Sequence, residues 1–362
     1  MWKQNRVTKR LNIRYPVIQA GMAGGATPPE LVAAVSEAGG LGTLGAGYLS
    51  PEGIRGAVRE IRSRTSKPFA VNLLVTEAVK PSPKEVRRSQ ELLDPYREEL
   101  GLKRQEPANF AESFEEQIQV LMEERVPVFS FTFDIPEERW LKRFREMGTT
   151  LIGTATTVRE AQLLEKAGVD LVVAQGAEAG GHRGTFAGPS DRAMVGTLAL
   201  VPQVADQVKV PVIAAGGVMD GRGLAAALAL GAEGVQLGTA FLTCEESGAH
   251  PVHQEKILSG TEESTVVTRA FSGKPARGIR NRLIQDLSSR ERTLPPYPVQ
   301  NALTRDIRKA AALNRDPELM SLWAGQGLRL SRRGTAEDLI RKVVGEAEEV
   351  LRRLTRDTSR YF

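Results

Sequence analysis

Eight short apolar segments recur along this chain, most closing on glycine or another small residue, and between most of them lies a stretch with helical periodicity. The apolar segments cover residues 16–21, 41–47, 69–75, 126–133, 150–155, 171–176, 210–217 and 234–241. Runs of this length, often rich in Val and Ile, are typical of strands buried on both faces. Helical patterns at residues 29–38, 51–63, 136–147, 158–167, 197–208 and 221–230 fill most of the gaps. Thr27-Pro28-Pro29 and Ser50-Pro51 read as helix starts, a capping hydroxyl followed by proline suited to a first turn. Strand and helix in alternation imply a parallel α/β sheet. Eight repeats favour closure into a (β/α)8 TIM barrel. An open dinucleotide-binding sheet fits less well, because Gly21-Met22-Ala23-Gly24-Gly25 after the first strand lacks the G-x-G-x-x-G spacing.

The 362 residues exceed the roughly 250 of a typical barrel. The surplus falls in two places where the rhythm breaks, residues 76–119 and 245–319. The first contains helical patterns near 84–93 and 112–124; the second follows the eighth strand and includes the turn-rich Leu294-Pro-Pro-Tyr-Pro298. Structureless loops of this size are rare in compact domains unless they serve function. The expected organisation is therefore residues 1–244 as the barrel with its ligand site, 245–319 as a helical lid inserted after strand eight, and 320–362 as a C-terminal segment. That last segment ends in a closing helix at 335–354, where Leu339, Val343, Val344, Ala347, Val350 and Leu351 follow helical spacing.

Composition narrows the setting. A lone cysteine, Cys244, offers no internal disulfide, no run of about 18 apolar residues could span a membrane, and the first residues have no secretory apolar core. A cytoplasmic protein without a membrane partner is expected. The net charge of +5 collects partly in arginines from Arg329 to Arg360. No aromatic platform accompanies them, so a solvated helix face is expected there and not a nucleic-acid surface.

Three constellations bear on chemistry. Strand seven ends Ala214-Ala-Gly-Gly217 and strand eight ends Gln236-Leu-Gly-Thr239, the two positions where barrels bind phosphate through backbone N–H groups. The competing reading is that these glycines only relieve crowding at turns. Asp220 reads as a helix cap, since its charge would repel an anion. At the end of strand six, Gln175-Gly-Ala-Glu-Ala-Gly-Gly-His182-Arg-Gly184 combines four glycines with a histidine able to move a proton near neutral pH. Of the three histidines only His182 lies at a strand end, although a histidine bonded to a neighbouring loop would look the same. His250 and His253 have a metal-compatible spacing, but no Cys, Asp or third His is nearby, so no metal is expected. Asn72 and Gln175 are amides at strand ends, able both to donate to and accept from the edge of a flat heterocycle.

At these residues the sequence resembles a known family. Gln19-Ala-Gly-Met-Ala-Gly24, Gly39-Gly-Leu-Gly42, residues 69–72, 175–184, 211–217 and 234–239 are similar, in order, to the nitronate monooxygenases, formerly called 2-nitropropane dioxygenases. The likeness extends through Phe271-Ser-Gly-Lys-Pro-Ala-Arg-Gly278, Tyr297-Pro-Val-Gln-Asn301 and Met320-Ser-Leu-Trp-Ala-Gly-Gln326. It implies an FMN flavoprotein on a (β/α)8 barrel that oxidises alkyl nitronates, propionate 3-nitronate for example, with O2 to a carbonyl compound and nitrite, a nitroalkane-detoxifying oxidoreductase. By the same resemblance Met22, Asn72, Gln175, Gly180, Gly217, Gln236, Leu237, Gly238 and Thr239 hold the flavin, and His182 is the catalytic histidine, as base toward a nitroalkane or as anchor for a nitronate. The flavin-dependent enoyl-ACP reductases, which use NAD(P)H, share the Ala-Gly-Gly-His and Ala-Ala-Gly-Gly segments. Residues 76–119 and Phe129-Ser-Phe-Thr-Phe-Asp134 look more like the monooxygenases. A barrel that binds a phosphorylated ligand without catalysis would keep the glycines but leave His182 without a task. Oligomeric state and the residues of the substrate pocket are not legible.

Overall fold

The computed structural model describes residues 2–76 and 81–358. Arg360 and residues 77–80 of the first insertion lie outside the described residues. Eight strands form one parallel sheet: β1 (Val17–Gln19), β2 (Gly42–Gly45), β3 (Phe69–Leu74), β4 (Val128–Thr132), β5 (Thr150–Ala155), β6 (Leu171–Gln175), β7 (Val212–Ala215) and β8 (Gly234–Leu237). Each pairs with the next, β8 pairs with β1, and a bridge between Ile18 and Leu41 joins β1 to β2. The N–H of Gln19 donates to the Leu41 carbonyl at 2.9 Å and that of Leu41 to Val17 at 3.0 Å, which closes the barrel.

Side chains alternate across each strand, so one set of every second residue fills the barrel. Near the strand N-termini that set is apolar: Ile18, Leu41, Ala70, Val128, Ile152, Leu171, Val173, Ile213 and Ala215 form one cluster. Val7 and Leu11 join it from a helix the sequence reading does not anticipate, Arg6–Leu11. Asn5 caps this helix by accepting from the Thr8 N–H, and Asn12 ends it in the left-handed conformation. The helix plugs the barrel floor; burying each of its two aliphatic side chains stabilises the fold by about 1.5–3 kcal/mol. Two residues further along the same inward faces, chemistry changes. Ala70 gives way to Asn72, Val128 to Ser130 and Thr132, Ile152 to Thr154, and Val173 to Gln175. The barrel is therefore oily at its floor and polar at its mouth.

Most strand and helix positions follow the expected pattern, and three details differ. The apolar run at 234–241 is strand only to Leu237, then turns into a short helix, Thr239–Leu242; an apolar run does not by itself distinguish the two. Thr27 does not cap the helix Pro29–Glu37. It instead accepts from the Gly45 N–H at 2.9 Å and donates to the Met22 carbonyl, tying the loop after β1 to β2. The segment after β8 is mostly helical but contributes two antiparallel strands, Thr265–Thr268 and Ala276–Ile279.

The two insertions make one cap with its own core of Leu93, Phe271, Leu283, Val299, Leu303 and Leu322. Helix Pro83–Glu99 of the first insertion meets Val299–Leu303 of the second. Ser89 donates to Gln300 at 2.6 Å, and the buried Arg97 guanidinium reaches Asp306 and the Leu303 carbonyl, both at 2.7 Å. The last helix, Ala336–Thr358, packs on Gly221–Ala229 and Pro29–Glu37 and completes the outer ring. A Cβ at Gly221 would overlap the Ala347 backbone, so glycine permits that approach. No described helix is long and apolar enough to cross a membrane.

Candidate active site

The loop after β6 is built into the cap by backbone pairing. Gly181 and His182 form a third short strand, opposite Arg277 and Ala276. The Arg183 N–H donates to the Pro275 carbonyl at 2.8 Å. Gly181 has φ +75°, a conformation glycine adopts without penalty. Gln175 grips the loop from inside the barrel: its Nε2 donates to the His182 carbonyl at 3.1 Å and its Oε1 accepts from the Gly184 N–H at 2.8 Å. Beneath, the fully buried Arg183 guanidinium donates to the carbonyls of Gly176, Gln175 and Ala193. Burial pushes Arg183 down to about 10, so it stays charged at neutral pH. Glu160, also fully buried, accepts from the N–H groups of Phe186 and Ala187 with one oxygen and from Thr156 with the other. Two buried charged groups thus hold the loop on either side of His182.

The imidazole of His182 is half-buried among three aromatic rings, Phe133, Tyr297 and Trp323, at centroid distances of 5.6, 5.7 and 5.5 Å. Its Nε2 lies 2.8 Å from Ser272 Oγ. Burial, then the nearby charges of Lys274 and Arg308, push His182 down to about 3, so the ring is neutral at physiological pH. Lys274 Nζ donates to the Thr185 carbonyl at 2.9 Å and sits 4.5 Å from the Phe133 ring centre. Burial lowers it to about 8. Arg308 is tethered to Asn301 and Thr304 and stands near Tyr48 and Tyr297. Neither Lys274 nor Arg308 has a carboxylate ion-pair partner among the described residues. A neutral histidine flanked by two unneutralised cations suits an anionic small molecule.

The strand-end amides meet at the mouth. Asn72 Nδ2 donates to Ser130 Oγ at 2.9 Å, and Thr132 bonds Thr154 at 3.3 Å. A Cβ at Gly21 would overlap Asn72, and one at Gly238 would touch the Met22 sulfur, so the β1 loop lies beside both. Gln236 is half-buried at the end of β8 with no hydrogen-bond partner for its amide among the described residues. Gly180 lies against Gly325, where a Cβ would overlap backbone at 2.5 Å. Gly216 and Gly217 take φ +113° and +72° at the end of β7, and Thr239 accepts from the Gly325 N–H at 2.9 Å. Asp220 does cap its helix, accepting from Arg222 and Gly223. The structure thus gathers Met22, Asn72, Gln175, Gly180, His182, Gly217, Gln236, Gly238 and Thr239 around one end of the barrel. Leu237 differs: its side chain is packed in the outer core, leaving only backbone for a ligand. His250 caps the helix Pro251–Ser259, and His253 Nε2 lies 3.0 Å from the Trp323 carbonyl, so both rings are engaged in structure.

Several residues at this site carry no local signal. Ser272, Tyr297 and Trp323 fall in segments singled out by resemblance but without an individual role. Phe133, Lys274 and Arg183 likewise fall in such segments without an individual role, while Tyr48, Arg308 and Glu160 were not singled out. Folding of the cap over the barrel brings Ser272, Lys274, Tyr297, Arg308 and Trp323 to His182, and closure of the barrel brings Phe133.

A parallel barrel with a histidine in its polar mouth and a cationic cap above it defines a small-molecule enzyme. The chain matches the family model described as nitronate monooxygenase over residues 4–346. It is 47% identical over 355 residues to the "Probable nitronate monooxygenase" of Staphylococcus aureus strain MSSA476, covering 97% of this chain and 99% of that one. Among solved structures it resembles the nitroalkane oxidase from Streptomyces ansochromogenes, with TM-score 0.90, 39% identity and coverage of 97% and 100%. FabK from Thermotoga maritima follows at TM-score 0.78 and 35% identity, covering 97% of this chain and 98% of that one. This chain belongs to the nitronate monooxygenase family and is an oxidoreductase.

Proposed function

We propose that this protein is an FMN-dependent nitronate monooxygenase, converting alkyl nitronates and O2 to carbonyl compound and nitrite. The observation that carries the reading is the neutral His182 ring set between Lys274 and Arg308, two cations without carboxylate partners among the described residues, above a polar barrel mouth. A nitronate is a small anion, and such a chamber attracts it without requiring the histidine to be charged.

The mouth fits a flavin. Its amides and hydroxyls suit the donor and acceptor edge of a pyrimidine-like ring, and the Gln236 amide remains free for one such bond among the described residues. Asn72, Gln175 and Gln236 would contact the ring edge, with Met22 and Gly180 beside it, while Gly217, Gly238, Thr239 and the Leu237 backbone would meet the phosphate. When bound, the flavin supplies the redox chemistry that takes electrons from the substrate and passes them to O2. The chain's own contribution is distinct. Lys274 and Arg308 hold the anion, the rings of Phe133, Tyr297 and Trp323 exclude water, and a neutral His182 accepts the α-proton when the substrate arrives as a nitroalkane.

The test is direct. The purified protein should be yellow and release FMN on denaturation, and it should consume O2 and form nitrite from propionate 3-nitronate. Rapid anaerobic bleaching of the flavin by NAD(P)H, with no nitrite formed, would assign it instead to enoyl-ACP reductase chemistry. A colourless protein would leave a phosphate-binding barrel.

A further inference from the structure

Ser272 is 1% exposed, and its hydroxyl sits between three groups. The oxygen is 2.8 Å from His182 Nε2, 3.1 Å from the Lys274 carbonyl oxygen and 3.4 Å from the Lys274 N–H. A hydroxyl has one proton to give. The Lys274 carbonyl only accepts, and no other donor among the described residues reaches it. Committing the Ser272 proton to that carbonyl satisfies it; turning the proton toward His182 would leave the carbonyl without a partner. With its proton committed, Ser272 can only accept from the imidazole.

We propose that Ser272 is a positioning residue that locks His182 as the Nε2–H tautomer, so that Nδ1 is the proton-accepting nitrogen of the site. Nδ1 has no hydrogen-bond partner among the described residues. The two ring nitrogens have distinct duties because the bond made by one decides the state of the other. The catalytic consequence rests on the nitroalkane reading above. The α-carbon's C–H bond breaks, its proton goes to Nδ1, and the electron pair moves into the nitro group to give the nitronate. The imidazolium that forms keeps its Nε2–H on Ser272, whose own proton remains on the Lys274 carbonyl. Ser272 thereby orients the ring and stabilises its charged form through the same bond.

The tautomer is measurable without turnover. The chain has three histidines, so 15N-histidine NMR of the purified protein, with His250→Gln and His253→Gln for assignment, reads each ring. The expected result is a proton on Nε2 and a bare Nδ1 for His182. Ser272→Ala should release the lock and give averaged nitrogen shifts, while Ser272→Thr, which keeps the hydroxyl, should retain it. Kinetically, Ser272→Ala should lower kcat on a nitroalkane by about 10- to 100-fold, the worth of a hydrogen bond to a charged group, with much less effect on a preformed nitronate. A proton on Nδ1 in the unaltered protein, an unchanged tautomer in Ser272→Ala, or equal losses on both substrates would overturn the assignment. Absence of nitrite from a preformed nitronate would strike the function proposed above, and absence of nitroalkane turnover alone would strike only the base role of His182, while the NMR result would still decide the tautomer.

Discussion

Replacing Glu160 by Gln should loosen the His182 loop more than any comparably conservative change. Glu160 is fully buried in the first turn of the helix Val158–Lys166. One carboxylate oxygen accepts from Phe186 N at 2.6 Å and Ala187 N at 2.9 Å; the other accepts from Thr156 N and Thr156 Oγ1, both at 2.7 Å. Three of the four partners are backbone N–H groups that can only donate, while the Thr156 hydroxyl can turn to accept, so an amide with its NH2 toward Thr156 loses one bond and one with its NH2 toward Phe186 and Ala187 loses two. Each hydrogen bond to a charged group is worth about 1.5–3 kcal/mol. Loss of one gives about 1.5–3 kcal/mol and loss of two about 3–6 kcal/mol, with the amide's freedom to turn favouring the lower figure. Against a total stability of about 5–15 kcal/mol this is a large fraction. Urea unfolding should show a lower midpoint at unchanged slope. Hydrogen exchange should speed up at the amides of Phe186 and Ala187, whose charged acceptor is replaced by a neutral amide oxygen or lost. Since Lys274 Nζ rests on the Thr185 carbonyl next to this anchor, KM for a nitronate should rise as well. A Glu160→Gln protein within about 1 kcal/mol of the parent, or one destabilised without faster exchange at those two amides, would refute the anchoring role.

Four further outcomes follow from the same geometry. Gly180→Ala places a Cβ 2.5 Å from the Gly325 nitrogen and must part the loop from residues 324–325; the purified protein should retain markedly less cofactor, read from its visible absorbance. Lys274, lowered to about 8, loses its charge as pH rises, so KM for a nitronate should climb through that pH; Lys274→Arg should move the rise to higher pH and Lys274→Met should abolish the pH dependence with a high KM throughout. His182→Asn should abolish nitroalkane turnover and reduce nitronate turnover less, and equal activity on a nitroalkane would remove His182 from the base role. The folded-state value of His182 lies below its ordinary 6.5, so the unfolded chain binds the proton more readily; its stabilising contribution is complete above pH 6.5 and is lost as pH falls through about 3. Melting temperatures followed from neutral to acid pH should therefore fall less steeply in His182→Asn than in the parent.

The barrel was legible in the sequence because its signals are local. A buried strand and an amphipathic helix each write their own period into neighbouring residues, and eight alternations leave few architectures. His182 was legible for a related reason: it is the one histidine of three at a strand end, on a loop whose glycines announce close backbone approach. What acts on His182 was not legible. Ser272, Tyr297 and Trp323 reach it from the cap, and Phe133 from the end of a distant strand, contacts set by how two insertions fold together. Leu237 shows the same limit at short range, because facing the mouth or the outer core depends on strand register within the closed sheet. The helix Arg6–Leu11 was missed because its purpose, sealing the barrel floor, exists only once the barrel does. The sequence by itself determined the frame and the position of His182, since both are written over short distances. Tertiary structure alone decided that this residue is neutral, which nitrogen faces its work, and which cations surround it, because burial and hydrogen-bond direction belong to the folded surroundings and not to the residue.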